Sequence, residues 1–216
     1  MPTIRKICSW TLLSLLFVFS SLRADDVQKV TDKIISHDTS HADLSGINSA
    51  NRSQVIAYAR SIIDGGFGPR ILLLRLGDEP TIQDTIERYR PYNTSDAKDM
   101  AFIIARSPQP LLVPWLASDL YLPDDQFPPH ATHSGFCTEV SFGRRWDSAV
   151  LIVEVLKDSS EFSPELRAWA TIFQRQRFAG KEVFIEPLKR WWEQNADKFK
   201  NHDYESVKPP QAPPSK

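Results

Sequence analysis

The stretch LLLRLGDEPTIQDTIERY (residues 72–89) decides how the rest of the chain reads. It opens as an apolar run that ends at Leu76. Gly77 follows, a residue that tolerates the left-handed conformation closing many helices. Asp78 comes next, and Pro80 stands where a second helix would begin and where its missing N–H costs nothing. Ile82 and Ile86 then recur at helical spacing. The stretch predicts a helix, a turn at Gly77-Asp78 and a second helix.

The same order recurs downstream. Ser95 is read as an N-cap, and Met100, Ile103 and Ile104 line one face of a helix. A turn at Ser107-Pro108 leads to Pro110, then to Leu112, Trp115 and Leu116. Pro80 and Pro110 are 30 residues apart; Ile82 then aligns with Leu112 and Ile86 with Leu116. A third copy runs from the apolar residues 149–156 to a cap at Ser163, Pro164 in the first helical position, and a stripe of Leu166, Trp169 and Phe173. Residues 123–145 separate it from the second copy as a long insertion loop.

Upstream, Val27, Val30, Ile34 and Ile35 predict a helix over 26–36. The polar run HDTSHADLSG is a connector. A further helix over 51–64 carries Val55, Ile56, Ala59, Ile62 and Ile63, and Gly65 and Gly66 stop it. The last helix starts near Pro187 and holds Leu188, Trp191, Trp192 and Phe199. Residues 201–216, ending in KPPQAPPSK, form a disordered proline-rich tail. No long alternating run argues for a sheet, so the fold class is all-α.

Leu76, Gly77, Asp78, Pro80, Ile82 and Ile86 resemble a unit of the HEAT-repeat class. The resemblance is best over residues 69–92. It implies antiparallel helix pairs stacked into an α-α superhelix, because one pair cannot bury its apolar face alone. The second unit departs from the pattern, with Ser107-Pro108 in place of Gly-Asp.

The chain begins MPTIRKICSWTLLSLLFVFSSLRADD. Arg5 and Lys6 form a basic head, an uncharged apolar run follows, and small residues lead to Ala24. This is the pattern of a secretory signal peptide over residues 1–24. Its apolar run is too short to span a bilayer, which needs roughly 20 residues. Cleavage after Ala24 leaves a helical domain over 25–200 with no transmembrane segment. It removes Arg5, Lys6 and Arg23 and no acid, which takes the net charge from -1 to -4. That balance argues against nucleic acid as a partner, since phosphate binding needs a concentrated basic surface.

PPHATHSGFC in the insertion loop carries His130, His133 and Cys137. All three are zinc ligands by type, and His37 and His41 form a second pair four residues apart. Cys137 is alone after cleavage, so it is buried and inert, metal-bound or paired with another chain. A thiolate activated by His130 or His133, with Glu139 or Asp147 orienting the imidazole, would make a hydrolytic site. No phosphate cradle, serine elbow or zinc-protease helix accompanies them. Arg144, Arg145 and Trp146, and the pair Trp191 and Trp192, are residue types that dominate binding hot spots. The sequence thus predicts an exported interaction or scaffold module whose partner is another protein, with no cofactor. The alternative is a metal-binding or hydrolytic enzyme built on the His130/His133/Cys137 loop, with zinc as the metal.

Overall fold

Val27, Thr31 and Ile34 follow one another at spacings of four and three, and they form the buried side of the first helix, α1 (Ala24–Ser36). The computed structural model describes residues 24–36, 43–91, 94–123, 143–177 and 180–210. Among the described residues every regular element is helical, as the sequence predicts. None of these helices is long and apolar enough to cross a membrane.

α2 (Arg52–Ser61) buries Val55 and Ala59 and ends in a tighter 3-10 turn at Ile63–Gly65. Gly66, at φ 136°, turns the chain into α3 (Phe67–Arg75). α3 is buried from Pro69 to Leu74 on all sides, as expected of a helix without a polar face. A Cβ on Gly68 would stand 2.8 Å from Ile35 Cγ2 and 3.1 Å from the Ile35 carbonyl oxygen. The missing side chain is what lets α3 lie so close to α1.

The end of α3 turns as Leu-Gly-Asp predicts. Gly77 takes φ 66°. Its N–H donates to the Leu74 carbonyl at 2.8 Å, and the Asp78 N–H donates to the Leu73 carbonyl at 3.0 Å. This pair of bonds satisfies carbonyls left over at the helix end and reverses the chain. Asp78 then caps α4 (Glu79–Tyr89), accepting from the Thr81 N–H at 3.3 Å and the Thr81 hydroxyl at 2.6 Å. Both Asp78 oxygens also meet the Arg60 guanidinium of α2. Burial pushes the Asp78 carboxyl up, but its bonds to Arg60 and Thr81 and the Arg60 charge outweigh that and leave it below the usual range.

α5 (Ser95–Ala105) is capped by Thr94, one residue before the expected Ser95, with the Ala97 N–H donating to Thr94 Oγ1 at 3.0 Å. A 3-10 turn at Pro110–Leu112 leads to α6 (Val113–Asp119). α7 (Arg144–Asp158) follows, starting inside the span expected to be loop. α8 (Pro164–Phe173) has the predicted Ser163 cap, which accepts from the Leu166 N–H at 3.2 Å.

Two readings of the C-terminal part are corrected. The last helix, α9 (Lys181–Lys200), starts six residues before Pro187 and runs through it. Proline opens helices readily, but here it sits in the second turn. The Val183 carbonyl that loses its bond belongs to an exposed residue, where water can take it. The expected tail over 201–216 is also folded in its first part. A 3-10 turn at Tyr204–Ser206 follows α9, and Tyr204 and Val207 are buried in the core.

α3 packs against α1 and α5, and α5 packs against α7, while α4 and α6 lie between these odd-numbered helices in the chain. α9 crosses α6 and α7. Two apolar cores result, one on each side of α3. Leu72, Leu73 and Leu76 face the smaller one with α1 and α2. Ile71 and Leu74 face the larger one, which runs on through α4–α9.

Candidate functional site

Leu112, Val113, Leu116, Ala117 and Leu120 fill the core side of the α6 region. Trp115, which the sequence groups with Leu112 and Leu116, falls outside that stripe and is 36 % exposed. The Arg90 guanidinium lies over its ring, 4.9 Å from the centroid. Trp115 and Leu111 form one wall of an open groove of about 430 Å³; Glu79, Pro80, Ile82 and Gln83 of α4 form the other. The groove therefore lies between the second helices of the first two sequence units.

Gln109 ties those units together. Its Nε2 donates to the Leu74 carbonyl at 3.1 Å, reaching from the Ser107-Pro108 turn to the end of α3. Its Oε1 accepts from the Leu111 N–H at 3.3 Å and caps the 3-10 turn. Arg52 of α2 donates to the Leu76 carbonyl beside it. The end of α3 is thus bonded both to the start of α2 and to the turn before α6.

The hot-spot residues singled out in sequence are engaged within the chain. Arg144 grips Asp119 with two bonds, at 2.9 and 2.6 Å, and donates to the Arg90 carbonyl at 3.0 Å. Asp119 also accepts from the Ser148 hydroxyl at 2.7 Å, and that oxygen lies 3.1 Å from Tyr89 Oη. The network joins α4, α6 and α7, and its carboxylate is satisfied by three donors, which suits a structural role. Arg145 is buried and meets Glu186 of α9 at 3.2 Å. Trp146 is half-buried and stacks on Phe184 at 5.6 Å. Trp191 is enclosed, and its Nε1 donates to the Lys208 carbonyl at 2.9 Å. Trp192 packs at the core edge against Phe199 at 5.4 Å. Arg145 and Trp146 meet the first turns of α9, whereas Trp191 and Trp192 lie farther along it.

The metal candidates His130, His133 and Cys137 lie outside the described residues, as do His37 and His41. Among the described residues no group of three or more His, Cys, Asp or Glu is placed to hold a metal ion. Tyr121, at the end of α6, is tied to α9: its hydroxyl meets Glu193 at 3.1 Å and Lys189 lies over its ring. Burial and the Glu193 carboxylate push its hydroxyl up to about 12.

Two features escape a reading by hydrophobic stripe alone. Trp115 is apolar, so it is counted with the core; only its adjacency to Leu116, about 100° away around the helix, separates the two faces. Asn195 is buried four residues after Trp191 and touches the same carbonyl of Lys208. The Trp-x-x-x-Asn spacing, which sets both on one helix face, was a usable signal. Comparison of the chain with protein-family models, with characterised proteins and with solved structures finds no match.

Proposed function

We propose that the chain is an exported protein-interaction module of stacked helix pairs, and that its partner docks along the groove between α4 and α6. The observation that carries this reading is Trp115, exposed beside Leu111, Pro80, Glu79 and Gln83 in an open groove. A large ring with polar neighbours on a concave surface is the usual make-up of a binding hot spot. The HEAT-like arrangement is supported by the succession α1, α3, α5, α7 and by the Gln109 bond between neighbouring turns. Export is supported by the basic head, apolar run and Ala24 junction. Cleavage there keeps Val27, Thr31 and Ile34 of α1 in the mature chain.

A photo-crosslinking residue at Gln83, in the chain expressed with its leader, tests the docking site. A discrete protein adduct is expected at Gln83, lost with Trp115→Ala and absent from the exposed control position Thr171 on α8. Equal adducts at both positions would sink the reading. The exported fraction is expected to begin at Asp25; a chain kept intact in the cytoplasm refutes export. Elemental analysis of the untagged protein separates this reading from the enzyme at His130, His133 and Cys137, because stoichiometric zinc would favour the latter.

A further inference from the structure

The chain's own C-terminal segment is held on α9 in the manner of a ligand. Asn195 Oδ1 accepts from the Lys208 N–H at 3.3 Å, and Asn195 Nδ2 lies 3.5 Å from the Lys208 carbonyl oxygen. Trp191 Nε1 donates to that same carbonyl at 2.9 Å. Asn195 is itself held in place, donating to the Trp191 carbonyl at 2.8 Å and accepting from Lys198 Nζ at 2.9 Å. Both main-chain polar groups of Lys208 are therefore read by side chains of one helix face. The Lys208 residue is exposed, so its own identity is not what the site recognises. Val207 supplies the apolar anchor at 1 % exposure. Pro209 and Pro210 follow, half-buried, and hold the chain extended without needing further acceptors for N–H groups.

We propose that the Trp191–Asn195 face of α9 is a peptide clamp for an extended segment of the form apolar residue, any residue, Pro-Pro. Residues 207–210 occupy the clamp, and a partner protein's segment of that form displaces them. Main-chain bonds supply affinity that is independent of sequence, the Val207 seat supplies selection, and the prolines cut the ordering entropy. The occupant is also displaceable. It returns to α9 through His202, a non-glycine residue at φ 56°, and the two Asn195 bonds to Lys208 are long for hydrogen bonds. The proposal gives the interaction reading a ligand class and rests on that reading, but it uses a different surface from the Trp115 groove.

The test uses the full chain carrying Val207→Asp, which unseats the anchor, and a peptide with the sequence of residues 203–210. The Trp191 indole N–H resonance is expected to shift in the variant and to return when the peptide is added at up to about 1 mM, the scale of the effective concentration of a tethered segment. The unaltered chain should bind the same peptide at least roughly tenfold more weakly, because its own segment competes. Adding Asn195→Ala to the variant should weaken binding severalfold. If circular dichroism shows Val207→Asp unfolded, Val207→Ala replaces it. Absence of binding to the opened chain overturns the clamp, as does binding that Asn195→Ala leaves unchanged. If the peptide instead perturbs Trp115, the clamp fails while the interaction reading stands. If Gln83 crosslinks nothing but the peptide still binds at Trp191, the groove fails and the clamp stands.

Discussion

On one side of α3, Val27, Ile34, Val55, Ala59, Leu72, Leu73 and Leu76 form a small core that, among the described residues, holds no aromatic ring. On the other side, five rings from three helices stack in sequence. Trp146 lies on Phe184, Phe184 on Phe173, Phe173 on Trp169 and Trp169 on Trp191, with centroid spacings of 5.6, 5.1, 4.7 and 6.4 Å. Each successive pair of rings is within 29° of parallel. Aromatic side chains bury more area each and gain from offset stacking. The small core compensates with two polar fastenings, the Arg60–Asp78 pair and the Arg52 bond to Leu76, and with the close helix approach at Gly68. The difference predicts that the large core sets global stability and that α1 and α2 open first.

Phe184→Ala puts the greatest strain on this comparison. Phe184 is fully buried and stacks against both Trp146 and Phe173. Its loss should cost about 3–5 kcal/mol and lower protection across α7–α9 together. Leu73→Ala, at an equally buried site in the small core, should cost about 2–4 kcal/mol. Its hydrogen-exchange signature should be local: faster exchange in α1 and α2, with α7–α9 little changed. Equal loss of protection in both halves would mean that α3 couples the two cores into one cooperative unit.

The same contrast explains what the sequence revealed. The small-core side was legible, because Gly66, Gly77 and Asp78 are punctuation with local causes: a positive φ, a chain reversal, a cap. The Ser163 cap and Pro164 were legible for the same reason. The α9 side was not. Pro187 reads as a helix start, yet packing of Phe184, Ile185, Leu188 and Trp191 carries the helix back to Lys181. Residues 201–207 carry only Tyr204 and Val207 as apolar side chains, so no periodicity announces that they fold onto α9. Among the site candidates, residue type pointed to Arg144, Arg145, Trp191 and Trp192. Burial and ion pairing within the chain were invisible without the neighbours Asp119, Glu186 and Lys208.

Acid should distinguish the two halves. Asp78 titrates below the ordinary value of 3.8 because its bonds to Arg60 and Thr81 outweigh the effect of burial. A carboxyl lowered in the folded state stabilises the fold at pH values above its unfolded pKa. That contribution is lost as the pH falls through the lower folded value. Asp78→Asn keeps a competent cap and removes the charge. It should cost about 1 kcal/mol at neutral pH, and the difference from the unaltered protein should shrink as the pH falls below the ordinary carboxylate range. Urea titrations at several pH values, followed by exchange in α1 and α2, check this. A cost that does not vary with pH would mean that the Asp78 charge and its pair with Arg60 do not stabilise the fold.

The smallest effect compares two chain reversals of one design. After α9 the His202 N–H donates to the Phe199 carbonyl at 3.2 Å, and the Asp203 N–H donates to the Lys198 carbonyl at 2.8 Å. The Gly77 turn has the same two bonds, but there glycine occupies the left-handed position. Histidine in that position costs about 1 kcal/mol. Glycine removes the cost and returns part of it as unfolded-chain entropy. His202→Gly should therefore stabilise the protein by roughly 0.5 kcal/mol, read as a raised denaturant midpoint at unchanged slope. Two local contacts oppose the gain. The imidazole stands 5.9 Å from the Tyr204 ring and near Glu161, whose carboxyl is pushed up by burial against a smaller lowering by His202. A lowered midpoint would mean that these contacts outweigh the backbone cost, and that the residue in the left-handed position after α9 contributes through its side chain, which the glycine at position 77 cannot do.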